Sequence, residues 1–173
     1  MDIRKFLKID SSRLNADILV DKIEEDTDVF EIVWEIMLED TYPLSMRASR
    51  VIWLFAVKHP YYLEPRLSVL ITVLPEIKTE SVWRNMLNVI ALLPIPEKHT
   101  GHLFDLCYGL VESPGTAIAV RANAMTILYK ISNIEPELKI ELITLFESQG
   151  DTESVAIFAR SKILLQKLYK EIN

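Results

Sequence analysis

The sequence predicts an all-α fold of stacked helix pairs, with about three pairs and a capping helix at each end. Three observations carry the prediction. An arginine-centred segment recurs every 37 to 39 residues, amphipathic segments of the same period lie between its copies, and the chain has only four glycines. Fixed-period self-similarity marks a repeat architecture, in which one helix pair cannot bury its apolar face but stacked neighbours can.

The recurring segments begin Met46-Arg47-Ala48-Ser49, Trp83-Arg84-Asn85-Met86, Val120-Arg121-Ala122-Asn123 and Ala159-Arg160-Ser161-Lys162. Their arginines lie 37, 37 and 39 residues apart. A turn signal opens each one: Asp40-Thr41-Tyr42-Pro43, Lys78-Thr79-Glu80-Ser81, Ser113-Pro114-Gly115-Thr116 and Gly150-Asp151-Thr152-Glu153. Ser, Thr and Asp there are expected to accept hydrogen bonds from first-turn amides, and Pro suits an opening turn. Pro60, Pro94, Pro96 and Pro136 follow the first three segments and end them.

The companion helices are expected over Thr27–Glu39, Tyr62–Leu74, Thr100–Glu112 and Pro136–Ser148. Each has an apolar stripe at helical spacing, such as Leu63, Leu67, Leu70, Ile71 and Leu74. Val33, Leu70 and Cys107 are again 37 residues apart, so both helix sets share the period. Residues 1–173 then form one repeat domain. Residues 1–25 form the N-terminal cap, with a helix over Ser11–Glu25. Residues 27–150 form the repeats, and a C-terminal helix covers 152–172.

Charge is unevenly placed. The net charge is −6, yet residues 1–40 hold five Lys/Arg against twelve Asp/Glu, and the remainder is nearly balanced. A duplex-binding protein draws most of its affinity from a basic surface, so nucleic acid is disfavoured as a partner. The acidic run reads first as a solvated face. A single cysteine excludes an intramolecular disulfide. The longest run without Asp, Glu, Lys or Arg is Asn85–Pro96, shorter than the roughly 20 residues a membrane helix needs. Without a signal peptide at MDIRKFLKIDSSR, the expectation is a cytoplasmic protein with no membrane contact.

Ala119-Val120-Arg121-Ala122-x-Ala124-x-x-x-Leu128 resembles the second-helix signature of HEAT repeats. The resemblance covers about residues 27–170 and is closest in the third repeat. It implies a right-handed α-α superhelix, a HEAT-like (armadillo-type) α-solenoid in which the repeated arginine bonds an adjacent loop and helps set the stacking. The chain also resembles short bacterial HEAT-like proteins of unassigned function, which share Arg47-Ala48-Ser49 leading to Trp53, the run Pro136–Lys139 and a closing Ala159-Arg160 helix. Position 50 departs from the repeat, with Arg where the other copies have Leu87, Ala124 and Ile163.

No residue set points to catalysis. His99-x-x-His102 has zinc-ligand spacing but no further local ligands. His59 precedes Pro60 at a helix end, where a cation suits the dipole. Cys107 lies on an apolar stripe and reads as core. Glu24 with Asp28 and Glu31 with Glu35 read as solvated pairs. No phosphate-cradling Gly-rich loop occurs, and no cofactor is expected. The reading is a non-enzymatic binding or scaffold module whose second helices line a shallow concave face that engages a protein or peptide. The candidate binding residues are Arg47, Arg50, Trp53, Trp83, Arg84, Asn88, Arg121 and Lys162. Arg50 is the preferred pointer, able to form a cation–π anchor with Trp53 if exposed. The alternative is a HEAT-like nucleic-acid-binding protein or DNA glycosylase-type enzyme. Both would use the same arginines and tryptophans.

Overall fold

The computed structural model of the protein describes residues 1–150 and 154–172. Among these, every regular element is helical. The chain forms two compact units, Met1–Pro94 and Ile95–Asn173.

The first unit opens with α1 (Ile3–Leu7) and α2 (Arg13–Glu25). Asp2 caps α1 by accepting from the Lys5 amide at 3.0 Å, and Ser12 caps α2 by accepting from the Asn15 amide at 3.1 Å. α1 is too short for periodicity to reveal, but Ile3 and Leu7, one turn apart, are both buried and the helix packs on its neighbours α3 (Asp28–Leu38) and α4 (Leu44–Lys58). Helix α4 is the hub of this unit. It packs against α2, α3 and α7 (Glu80–Leu92), and nine of its fifteen residues are buried.

The companion helix expected over Tyr62–Leu74 is broken. It runs as α5 (Pro60–Leu63), a 3₁₀ turn Glu64–Arg66, α6 (Leu67–Val73) and a second 3₁₀ turn Leu74–Glu76. Pro65 explains the first break, because it has no N–H to donate and its ring crowds the carbonyl one turn back. Pro75 does the same at the end. The apolar stripe survives, with Leu63, Leu67, Leu70, Ile71 and Leu74 all buried.

The second unit contains a 3₁₀ turn Glu97–His99, α8 (Thr100–Glu112), α9 (Ile118–Ser132), a 3₁₀ turn Pro136–Leu138, α10 (Lys139–Ser148) and α11 (Val155–Ile172). Helix α9 packs on α8, α10 and α11. The four arginine-bearing segments are therefore α4, α7, α9 and α11, and Val33, Leu70 and Cys107 all sit in the core. Burying an aliphatic side chain such as Val33 or Leu70 contributes about 1.5–3 kcal/mol. The turn and helix start expected over residues 151–153 lie outside the described residues.

The caps differ from expectation. The N-cap positions of α4, α7 and α9 are Pro43, Thr79 and Ala117, and none makes a side-chain capping bond. The entry to α7 is held from a distance by Asp40. Its carboxylate accepts from the Lys78 amide at 2.6 Å and the Thr79 amide at 3.1 Å. Asp40 sits at φ 49°, a left-handed conformation that Asp tolerates better than most residues. Burial acts to raise the pKa of this carboxyl, but the bonds from Thr79 and the Lys78 amide outweigh it and hold it below the ordinary value.

Asp40→Ala should lose about 1–3 kcal/mol in denaturant unfolding at neutral pH, through two orphaned amides and a left-handed alanine. Asp40→Asn, which keeps one acceptor and tolerates the backbone, should lose less. Because the folded-state pKa is depressed, the carboxylate's stabilisation is present above the unfolded value near 3.9 and is lost as pH falls through the folded value. The gap between wild type and Asp40→Asn should close on acidification.

Candidate functional site

Three of the arginines singled out in the sequence, Arg47, Arg50 and Arg84, line one recess in the first unit. Its volume is about 130 Å³, and its opposite wall is the loop between α1 and α2 with the first turns of α2. Helix α4 supplies Arg47 and Arg50 from adjacent turns, and α7 supplies Arg84 and Asn85. The two helices are joined there by a buried polar node: Asn85 Nδ2 donates to Ser49 Oγ at 2.9 Å, and Ser49 Oγ donates to the Met46 carbonyl at 2.8 Å. Leaving either group unpaired at that depth would cost about 1–3 kcal/mol, so the node fixes how the wall is assembled.

The arginines hold the loop. Arg47 Nη1 donates to the Leu7 carbonyl at 2.6 Å, at the C-terminal end of α1 where carbonyls lack helical partners. Arg50 Nη1 donates to the Ser11 carbonyl at 2.8 Å. Asp10, between them in sequence, accepts from the Ser12 amide at 2.7 Å and from Asn15 Nδ2 at 2.9 Å. Its carboxyl is held below the usual range by the Ser12 hydroxyl and amide, with the Arg47 charge and Asn15 adding to them. Arg84 is exposed at the edge.

The remaining candidates are placed differently. Trp53 is half-buried on α4 and has no cation–π contact with Arg50, which reaches the α1–α2 loop instead. Met46, Arg50, Trp53 and Val57 nevertheless share one accessible stripe of α4, as Arg84, Asn88 and Ala91 do on α7. Trp83 points elsewhere. Its Nε1 donates to the Ile77 carbonyl at 2.8 Å and fastens the entry to its own helix.

Arg121 and Lys162 belong to the second unit. Arg121 Nη2 bonds Gln149 Oε1 at the end of α10, where Gln149 is buried. Arg160 Nη1 donates to Thr126 Oγ1 on α9 at 3.1 Å. Lys162 is exposed beside a separate open hollow of about 320 Å³ lined by Phe146, Phe158, Leu165 and Tyr169.

The sequence did not point to Asp10, Asn15 or the carbonyls of Leu7 and Ser11. Asp10-Ser11-Ser12 signals a helix start, but a carbonyl's role as acceptor leaves no mark in composition. Arg66 was also missed. It lies over the rings of Phe30 and Tyr62, at 4.9 and 5.2 Å to their centroids, and pairs with Glu31. Glu24 is likewise engaged, accepting from His59 Nε2 at 2.8 Å and Lys58 Nζ at 3.2 Å, with a carboxyl lowered first by His59 and then by Lys58.

Cys107 is fully buried, and burial pushes its thiol up to about 12. Burial lowers His99, with the Lys98 and His102 charges adding to it. Among the described residues no three His, Cys, Asp or Glu side chains are grouped to hold a metal. No described helix is long and apolar enough to cross a membrane.

A helical-repeat protein with a polar recess in its first unit is the class these features define. The family of the HEAT repeat domain matches residues 3–168. The chain belongs to the HEAT repeat family, with an all-α HEAT-like fold. No curated protein matches it, and no solved structure does.

Arg121→Ala should cost about 1–3 kcal/mol by leaving buried Gln149 short of a partner, measured by thermal or denaturant unfolding. Unchanged unfolding would remove Arg121 from the framework. Cys107 should resist a thiol-specific disulfide reagent at pH 8 in the native protein and react fully once denatured, because so little thiolate forms below a pKa of about 12.

Proposed function

We propose that this HEAT repeat protein is a non-enzymatic binding module that engages a protein or peptide through the accessible stripes of α4 and α7. The observation that carries this reading is the recess, which brings Arg47, Arg50 and Arg84 together beside Met46. Helices laid side by side commonly present a peptide-sized polar and apolar surface of this kind. Membership of a family that commonly serves as an interaction scaffold supports the same reading by analogy of fold. The match to residues 3–168 crosses the boundary after Pro94, which supports treating the chain as one repeat domain. The reading keeps the cytoplasmic location inferred from the sequence.

Duplex binding is the weaker reading. The chain carries −6 overall, and Arg121 and Arg160 each bond a side-chain oxygen of the protein itself. A duplex is held by many phosphate contacts at once, which needs an extended basic surface rather than one recess.

A photo-crosslinking residue at position 53 or 88 should capture one discrete protein in native lysate, while the same residue at Gln166 on α11 should not. Duplex DNA binding tighter than about 10⁻⁶ M at about 50 mM salt would overturn the proposal.

A further inference from the structure

We infer that the recess between the α1–α2 loop and the helices α4 and α7 is an oxyanion site, built to take a carboxylate or phosphoryl group of an acidic peptide between Arg47, Arg50 and Arg84. This deepens the binding-module reading and rests on it for the peptide, while the oxyanion chemistry stands on the recess alone.

The charge bookkeeping around the recess is unusual for its unit. Within residues 1–40 acidic groups outnumber basic ones by more than two to one, and other arginines of the unit find them. Arg4 pairs with Glu39, Arg13 with Asp17 at 2.8 Å and Arg66 with Glu31. Arg47 and Arg50 have no carboxylate within ion-pair distance among the described residues, and each is held by a neutral backbone carbonyl. A carbonyl fixes a guanidinium in place without cancelling its charge. Asp10 is the only carboxylate among the described residues of the lining.

Donor accounting points the same way. A guanidinium carries five N–H donors in a planar fork, and one Nη1 bond is recorded from each of Arg47 and Arg50. Arg47 Nε is buried and has no hydrogen-bond partner among the described residues. A buried charged donor without an acceptor is costly, and an oxyanion is the acceptor that suits it best. The carbonyl anchors also restrict Arg47 and Arg50 before any ligand arrives, so less side-chain freedom is lost on binding. The volume of about 130 Å³ has room for a carboxylate or phosphoryl group.

The test is titration of the full chain with inorganic phosphate and with succinate, followed through the Nε–Hε signals of Arg47, Arg50 and Arg84. Saturable shifts at these signals are expected with at least one of the two probes, and the tighter probe identifies the source of the oxyanion. Arg84→Gln, at an exposed position, should weaken binding at least tenfold. Asp10→Asn, which keeps its acceptor oxygen but removes the competing charge, should tighten it severalfold. Lys22→Gln, outside the recess, should leave it unchanged. Non-saturable shifts with both probes, equal binding by Arg84→Gln, or no gain in Asp10→Asn would overturn the inference. Loss of the oxyanion response with crosslinking at position 88 intact would sink this site alone; loss of the crosslink alone would sink the peptide-binding reading.

Discussion

The stacking of the first unit depends on satisfying two of its helix ends with groups about one repeat away. A short helix pair leaves an apolar face and unpaired backbone groups at its termini. The apolar face is covered by stacking, but stacking does nothing for the termini. In the first unit three long-range bonds do that work: the one Arg47 donates to the Leu7 carbonyl and the two that Asp40 accepts from the amides of Lys78 and Thr79. They span 38 to 40 residues, about one sequence period seen from inside the fold.

That arrangement explains what could be read in advance. The period, the buried stripe through Val33, Leu70 and Cys107, and the arginine-bearing helices follow from apolar spacing, which a linear pattern records directly. The break at Pro65 could have been read too, since proline's effect is local. The capping of α7 could not. Thr79 and Ser81 offered a local cap, and only the three-dimensional approach of Asp40 shows that a stronger acceptor was available. Local propensity was overridden by a contact 38 residues away.

The candidate site was half legible for the same reason. Arg50 stood out because it breaks the repeat, and it does line the recess with Arg47 and Arg84. Its partner did not stand out, because Ser11 acts through a backbone oxygen. The pairing with Trp53 assumed that neighbours on one helix face must meet; the Ser11 carbonyl on the facing loop gave the guanidinium a better acceptor. The repeated arginine is also less uniform than its spacing suggests. At 47 it closes a helix end, at 121 it binds the buried Gln149 and at 160 it reaches Thr126 on the neighbouring helix. One position in the repeat serves three different acceptors.

Asp40 has a consequence for how such chains can be recombined. The residue follows α3 in one helix pair, yet its carboxylate serves the start of α7 in the next. A natural cut between helix pairs would therefore separate a cap from the helix it caps. Grafts or duplications that transplant residues 60–92 alone would carry an open helix entry, whereas a segment beginning at residue 40 would bring its own closure. The module that can be exchanged is thus offset from the module that the sequence period displays.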